Sequence, residues 1–263
     1  MPPPRVIVTR PAREAARWVG VLAARGLDAL ALPLIDIVPE PRRGALLEAR
    51  ARLADWHAAM FVSGNAVEGL LESNQTQASV DITLSAINTR AWSPGPGTTA
   101  ALLQAGWPAG RIDAPAPGAP QFDSESLWAQ VAPQITPGAR VLIVRGGDAQ
   151  GRAAGRDWLA GRIAAAGGAV DQVVAYRRAA PVLEAAQRAL AEAAARDGSL
   201  WLFSSSEAIA HLRAALPRQD WSGARALATH PRIAEAARAA GFGAVRETRP
   251  APADVVASIE SFT

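Results

Sequence analysis

Residues 60–70 read MFVSGNAVEGL, and residues 202–212 read LFSSSEAIAHL. Four of the eleven aligned positions are identical. Both segments begin with apolar residues typical of a buried strand, turn at a serine and continue with the spacing of a helix. A strand that leads directly into a helix is the building unit of a parallel α/β sheet.

Two further pairs of segments match in the same order. Residues 5–10 match residues 140–145, and residues 95–107 match residues 230–242. The offsets between the copies lie between 135 and 142 residues. Each match is weak by itself, but three matches in register predict a duplicated α/β unit.

The rest of the chain continues the alternation of strands and helices. Apolar runs predict strands at residues 6–8, 30–32, 58–62, 141–144, 170–175, 200–203 and 226–228. Helical spacing lies between them, for example at residues 12–25, 183–195 and 233–240. Continuous apolar strands are typical of parallel sheets that are covered on both faces, and a length of 263 residues suits two domains.

Composition excludes several classes of site. The 263 residues include no cysteine and no lysine, which excludes disulfides, cysteine ligands for metals and a phosphate-binding lysine. A net charge of +3 without basic clusters argues against a nucleic-acid partner. No long apolar run or secretory signal is present, so we expect a cytoplasmic protein without a membrane partner.

Hydroxyl side chains follow several predicted strands. Ser63 and Ser205 lie where a strand ends and a helix begins, and Thr98 lies in a second turn of the same kind. Such a hydroxyl caps the helix, and the free N–H groups of the first turn can bind an anion. The pattern leaves plain capping and ligand binding open as alternatives.

Three other residues are candidates for ligand contact. Arg10 and Arg145 each end the first strand of a repeat copy, and either could bind carboxylates of a ligand or Asp and Glu of the neighbouring domain. Tyr176 is the only tyrosine and is predicted to follow the strand at 170–175. Its phenol could donate a proton, or it could be an amphipathic side chain at a domain edge.

Taken together, these segments resemble uroporphyrinogen-III synthase over nearly the whole chain. The matching motifs are Val8-Thr9-Arg10-Pro11, Phe61-Val62-Ser63-Gly64-Asn65-Ala66-Val67, Gly95-Pro96-Gly97-Thr98, Ser124-Glu125-Ser126-Leu127, Arg145-Gly146, Gly155-Arg156, Tyr176-Arg177-Arg178 and Phe203-Ser204-Ser205. Three departures are visible. His230 and Ile233 replace a glycine and a threonine, about six extra residues precede Arg156, and Trp92-Ser93-Pro94 is unusual before the first turn.

The resemblance implies two flavodoxin-like parallel-sheet domains joined by two extended linkers. The first domain would be discontinuous, comprising residues 1–37 and 178–263, and the second would comprise residues 42–173. The substrate hydroxymethylbilane would lie in the cleft between the domains, without a cofactor or metal. The implied reaction removes the terminal hydroxyl, inverts ring D and closes the macrocycle. The protein is expected to be a monomer.

The resemblance and the residue pattern give two sets of site residues. Tyr176 and Thr98 are the expected catalytic residues. The expected substrate-binding residues are Arg10, Ser63, Gly64, Asn65, Arg145, Gly146, Arg156, Ser204, Ser205 and His230. Helix N-termini and arginines suit the acetate and propionate groups of the substrate. Two alternatives stay open: a two-lobed binding or sensor module without catalysis, and a flavodoxin-like electron carrier, whose flavin would absorb visible light.

Overall fold

The computed structural model describes residues 3–41, 43–71, 84, 88–116, 118–119, 121–148, 150–153 and 157–262. The strands are β1 (Val6–Val8), β2 (Ala29–Ala31), β3 (Asp36–Pro39), β4 (Ala58–Phe61), β5 (Arg90–Trp92), β6 (Ile112–Asp113), β7 (Arg140–Gly147), β8 (Ala169–Ala179), β9 (Leu200–Phe203), β10 (Arg225–Ala228) and β11 (Ala244–Glu247). The α-helices are α1 (Ala12–Ala23), α2 (Gly44–Ala51), α3 (Gly64–Leu71), α4 (Pro96–Gln104), α5 (Ser124–Val131), α6 (Trp158–Ala165), α7 (Ala185–Ala194), α8 (Ser206–Ala215), α9 (Pro231–Ala239) and α10 (Pro252–Glu260).

The chain divides into two compact units. Unit 1 comprises Met1–Asp36 and Ala179–Thr263, and unit 2 comprises Ile37–Arg178. Each unit contains one sheet, with helices connecting its parallel strands. No helix in the described part of the chain combines the length and apolar character that a membrane span needs.

The sheet of unit 1 has the strand order β11-β10-β9-β1-β2, and its neighbouring strands are parallel. Side chains alternate between its two faces. On one face, Leu200 and Leu202 of β9 pack with Trp18 of α1 and Ile259 of α10. The opposite face carries an aromatic cluster, with ring centroids 5.2–6.2 Å apart, formed by Trp201, Phe203, Trp221 and Phe242.

The sheet of unit 2 has the strand order β3-β8-β7-β4-β5-β6. One face packs Phe61 and Leu142 against helices α2, α3 and α4. The other face packs Met60 and Ile143 against α5 and α6, including Leu159. Both faces of the central strands are therefore covered, which explains why these strands are apolar throughout.

The two strand orders confirm the duplication predicted from the sequence. The order β6-β5-β4-β7-β8 in unit 2 matches β11-β10-β9-β1-β2 in unit 1. Strands β1 and β2 belong to unit 1, whereas β4 to β6, which follow them in the same repeat copy, belong to unit 2. Each repeat copy therefore contributes strands to both sheets. The predicted α/β class with parallel sheets is confirmed.

Two sequence expectations about strand ends are wrong. Arg145 lies inside β7 rather than at its end, and Tyr176 lies inside β8 rather than after it. The two strands continue pairing beyond their apolar parts, with Gly146 opposite Tyr176 and an irregularity in register between Arg145 and Gly146. A β-bulge of this kind redirects side chains without ending the strand, which an apolar run alone does not reveal.

Candidate active site

Several of the predicted site residues lie at the carboxyl edge of the unit 2 sheet. Ser63 follows β4, the turn that contains Thr98 follows β5, and Gly146 lies near the end of β7. Tyr176 lies in the later part of the neighbouring strand β8. Parallel strands bring their carboxyl ends to one edge, which is where α/β sheets bind ligands.

The ring of Tyr176 packs directly on the backbone of Gly146. Tyr176 is only 5% exposed. A Cβ atom at position 146 would lie 2.7 Å from Tyr176 Cζ and 2.9 Å from its hydroxyl oxygen. Any side chain at this position would occupy the space of the ring, so the Arg145-Gly146 motif includes a steric requirement for glycine.

The phenol of Tyr176 contacts Ser63, the residue just before α3. Ser63 Oγ lies 3.0 Å from Tyr176 OH and also accepts a hydrogen bond from the Ala66 N–H at 3.3 Å. Helix α3 approaches β8 closely at Gly69. A Cβ at this position would lie only 2.6 Å from the Ala175 carbonyl oxygen. The absence of a side chain at Gly69 therefore lets the helix pack close to the strand that carries Tyr176.

The turn before α4 lies against the same helix terminus. A Cβ at Gly64 would lie 3.5 Å from Ala101 Cβ and 3.8 Å from the Gly97 carbonyl oxygen. The N-terminal parts of α3 and α4 are therefore neighbours, and a Cβ at position 64 would fit between them in ordinary van der Waals contact. This contact brings the Ser63 turn and the Thr98 turn together, as their equivalent positions in the sheet predict.

Two adjacent threonines of α4 have different surroundings. Thr99 Oγ1 lies 2.9 Å from Ser93 Oγ, and Ser93 Oγ donates to the Gly95 carbonyl at 2.9 Å. These bonds stabilise the start of the helix. Thr98 is 5% exposed, and its hydroxyl makes no hydrogen bond to any residue that the structure describes. The Thr98 hydroxyl is therefore not used for capping.

Arg145 is buried and bonded within unit 2. It is 4% exposed, and its Nη1 donates to Asp157 Oδ1 at 2.6 Å and to Gln172 Oε1 at 2.9 Å. The hydrogen bond and charge of Arg145 hold the pKa of the Asp157 carboxyl below its usual value. These partners make Arg145 part of the support of the sheet edge. Arg156 lies outside the described residues.

The loop after β7 contains the extra residues noted in the sequence. The N–H groups of Gln150 and Arg152 donate to Asp148 Oδ1, each at 2.9 Å. Gly151, with φ +80°, lies against the Arg177 side chain. A Cβ at position 151 would be 2.7 Å from Arg177 Nη2. Arg177 in turn makes two hydrogen bonds, of 2.7 and 2.8 Å, to the buried carboxylate of Glu40. In the described part of this loop, Gly151 thus packs on an ion pair.

Unit 1 presents its own carboxyl edge. Ser205 Oγ caps α8 by accepting from the Glu207 N–H at 3.2 Å, and half-buried Ser204 precedes it. His230 Nδ1 caps α9 by accepting from the Arg232 N–H at 3.1 Å. An accepting Nδ1 places the proton of the neutral ring on Nε2. The departure at His230 therefore adds a side-chain cap that the equivalent Gly95 lacks.

Arg10 also lies at this edge of unit 1. Its guanidinium stacks 4.7 Å from the centre of the Trp18 ring and donates to Glu14 at 3.2 Å. Burial lowers the pKa of this guanidinium. Among the described residues, Arg10 Nε has no hydrogen-bond partner.

Sequence reasoning missed several groups that build the site. Gly69, Asp157 and Gln172 were not predicted to matter, and Thr98 was not distinguished from Thr99. A glycine inside the apolar helix that follows the serine turn was the available signal for close helix packing. Nothing local to Asp157 or Gln172 indicates that they share Arg145.

Comparisons with known proteins agree with this architecture. A family model described as uroporphyrinogen-III synthase HemD matches residues 16–257. The structure of uroporphyrinogen-III synthetase from Helicobacter pylori is similar with 15% identity and a TM-score of 0.59, covering 99% of this chain and 100% of that one. A mutant uroporphyrinogen III synthase from Thermus thermophilus gives 19% identity and a TM-score of 0.54, with 97% and 95% covered.

No curated protein sequence matches the chain significantly. The structural similarities, at these low identities, show a shared fold, whereas the family model matches most of the sequence itself. The chain therefore belongs to the uroporphyrinogen-III synthase family.

Proposed function

We propose that Tyr176 donates the proton that lets the terminal hydroxyl of hydroxymethylbilane leave, and that Thr98 helps to orient the substrate. As a member of its family, the chain is a cyclising lyase of tetrapyrrole biosynthesis that acts on hydroxymethylbilane. The observation that carries the proposal is the Tyr176 phenol, seated on Gly146 and bonded to Ser63 at the carboxyl edge of a parallel sheet.

The proposed step needs a proton donor at the leaving oxygen. The C–O bond of the hydroxymethyl group breaks, and both electrons stay on oxygen. The lone pair of the adjacent pyrrole nitrogen stabilises the carbon cation that remains, while Tyr176 transfers its phenolic proton to the departing oxygen to form water. General acid catalysis of this kind contributes about 10²–10⁴-fold to a rate.

Substrate carboxylates need binding groups of opposite polarity. We assign this role to the N-terminal ends of α3 and α8. Ser63 precedes α3, which begins with Gly64 and Asn65, and Ser204 and Ser205 precede α8. N–H groups at a helix N-terminus bind carboxylates well because the helix dipole adds to their hydrogen bonds. Arg10 and His230 are proposed to supply further donors.

Control of the product isomer follows from positioning. Hydroxymethylbilane closes without an enzyme to the uninverted isomer, so the protein must hold a folded conformer in which the substituted carbon of ring D forms the new bond. Holding reacting groups in place can supply up to about 7–11 kcal/mol. In this proposal, Thr98 orients one end of the substrate through its hydroxyl, which has no hydrogen-bond partner in the part of the chain that the structure describes.

The alternative of a binding or sensor module is not favoured. The match to a family of lyases covers most of the chain. Net charge supports the further proposal that the enzyme works without a nucleic-acid partner, since +3 is small for a chain of this size. We also propose a monomer, which light scattering of the purified protein would test.

Replacement of Tyr176 by Phe tests the assignment of the proton donor. We expect Tyr176→Phe to lower kcat by about 10²-fold or more, because the ring remains but the proton is lost. The measurement is the rate of hydroxymethylbilane consumption, with chromatographic separation of the two uroporphyrinogen isomers.

Thr89→Val is the matched control. It also removes one hydroxyl from unit 2, but Thr89 Oγ1 donates to the Leu53 carbonyl at 2.8 Å, away from the proposed site. The control should lose stability by about 1 kcal/mol and keep its turnover. Wild-type turnover in purified, folded Tyr176→Phe would show that Tyr176 is not the proton donor.

A further inference from the structure

We propose that Ser63 is a positioning residue that acts through Tyr176, by donating its hydroxyl proton to the phenol oxygen. The inference rests on the proposed role of Tyr176 and deepens it. It gives the Ser63 side chain a task other than direct contact with the substrate. The supporting geometry is the 3.0 Å separation of Ser63 Oγ and Tyr176 OH in unit 2.

The surroundings of Ser63 favour one direction for this hydrogen bond. Ser63 Oγ already accepts from the Ala66 N–H at 3.3 Å. A hydroxyl has one proton, and one of its lone pairs is thus in use. Among the described residues, Ser63 Oγ contacts no acceptor other than the Tyr176 oxygen, so donation to the phenol gives the serine proton its partner.

The same arrangement stabilises the phenolate that remains after proton transfer. The N-terminus of a helix carries partial positive charge. The Ala66 N–H belongs to the first turn of α3 and is shared between the Ser63 carbonyl, at 3.0 Å, and Ser63 Oγ, at 3.3 Å. Its bond to Ser63 Oγ polarises the serine O–H, and hydrogen bonds in such a chain strengthen one another. The chain therefore runs from the start of α3, through Ser63, to the oxygen of Tyr176.

Packing fixes the position in which this bond forms. The ring of Tyr176 lies on Gly146, and α3 contacts β8 at Gly69 without an intervening side chain. These two close contacts restrict the position of the ring and of the helix terminus, which brings the two oxygens to a defined separation. Such preorganisation is what a proton donor needs in order to act at a defined place.

A double-mutant cycle tests whether Ser63 acts through Tyr176. We expect Ser63→Ala to lower kcat about tenfold, because a hydrogen bond to a charged oxygen is lost. In the Tyr176→Phe background, the same change should have no further effect on kcat. Ser63→Thr keeps the hydroxyl and the cap and should restore most of the activity. Thermal unfolding of each variant checks that the fold is retained.

Spectroscopy gives a readout that does not depend on activity. Because Tyr176 is the only tyrosine, tyrosine labelled with ¹³C at Cζ gives one ring signal from the protein. The chemical shift of this carbon responds to a donor at the phenol oxygen. We expect Ser63→Ala to move the signal and Ser63→Thr to return it towards the wild-type position.

The outcomes separate this inference from the proposed function. Multiplicative losses in the double mutant, or an unmoved Cζ signal in Ser63→Ala, would overturn the positioning role and favour direct contact of Ser63 with the substrate. Full activity of Tyr176→Phe would instead overturn the assignment of the proton donor, while a moved Cζ signal would still establish the bond between the two residues.

Discussion

Gly146→Ala replaces a single hydrogen with a methyl group beneath the ring of Tyr176. The added Cβ would lie 2.7 Å from Tyr176 Cζ, whereas carbon atoms pack best at about 3.5–4.0 Å. The ring and the backbone of β7 must therefore separate by about 1 Å. Overpacking of this size costs about 1–3 kcal/mol of stability, so the variant should fold at a lower melting temperature.

The catalytic cost should exceed the structural one. A displacement of about 1 Å at a reacting group can lower a rate by about 10²-fold. We therefore expect Gly146→Ala to lower kcat by about this factor, with a smaller change in KM, when it is assayed well below its melting temperature. The ¹³C signal of Tyr176 Cζ should move as well, because the contact with Ser63 is stretched.

Gly161→Ala is the control for a glycine-to-alanine change in the same unit. Gly161 lies inside α6, and a Cβ there would have no neighbour within 4 Å. Alanine in a helix interior is favoured over glycine by about 1 kcal/mol, so this variant should be more stable and equally active. A Gly146→Ala enzyme with wild-type kcat and isomer ratio would refute the proposal that ring placement controls catalysis.

The remaining predictions concern hydroxyls and acid stability. Thr98→Val should shift the products towards the uninverted isomer without loss of stability. Thr99→Val should lose about 1 kcal/mol of unfolding free energy and keep the isomer ratio, because its hydroxyl is hydrogen-bonded. Equal isomer ratios in both variants would contradict the role of Thr98. Hydrogen bonds from the Trp56 indole and from an arginine lower the pKa of Asp171. Because the folded-state pKa lies below the unfolded one, this carboxylate contributes fully above about pH 4 and loses its contribution as the pH falls further. Asp171→Asn should therefore weaken the acid dependence of stability in denaturant titrations, and exposed Glu260→Gln is the control; an unchanged dependence in Asp171→Asn would contradict this account.

The central strands and the helices beside them were predictable because their signals are local. Val6–Val8 and Leu200–Phe203 are fully buried runs, and such strands are apolar at every position. The edge strands Ile112–Asp113 and Ala244–Glu247 were missed because they are short. The first is only partly buried and the second is mostly exposed. An edge strand that faces solvent has neither a continuous apolar run nor a regular alternation.

The candidate site, like the strands, could be predicted from the sequence only in part. A lone tyrosine and hydroxyls after strands could be found by reading along the chain, since parallel sheets place such residues at one edge. The sequence could not show that Arg145 is bonded to Asp157 and Gln172 inside unit 2. It also could not separate the Thr99 hydroxyl, which is hydrogen-bonded, from the Thr98 hydroxyl, which has no partner among the residues with described structure.

The sequence by itself determined the duplicated α/β pattern, the absence of cysteine and lysine chemistry, and the family to which the motifs are similar. Only the tertiary structure paired Ser63 with Tyr176, which lie 113 positions apart, and seated the ring on Gly146. The physical reason is the separation along the chain of the residues that interact. Strand and helix signals come from the preferences of consecutive residues, whereas these contacts arise when β4, β7 and β8 pair and α3 packs on the sheet they form.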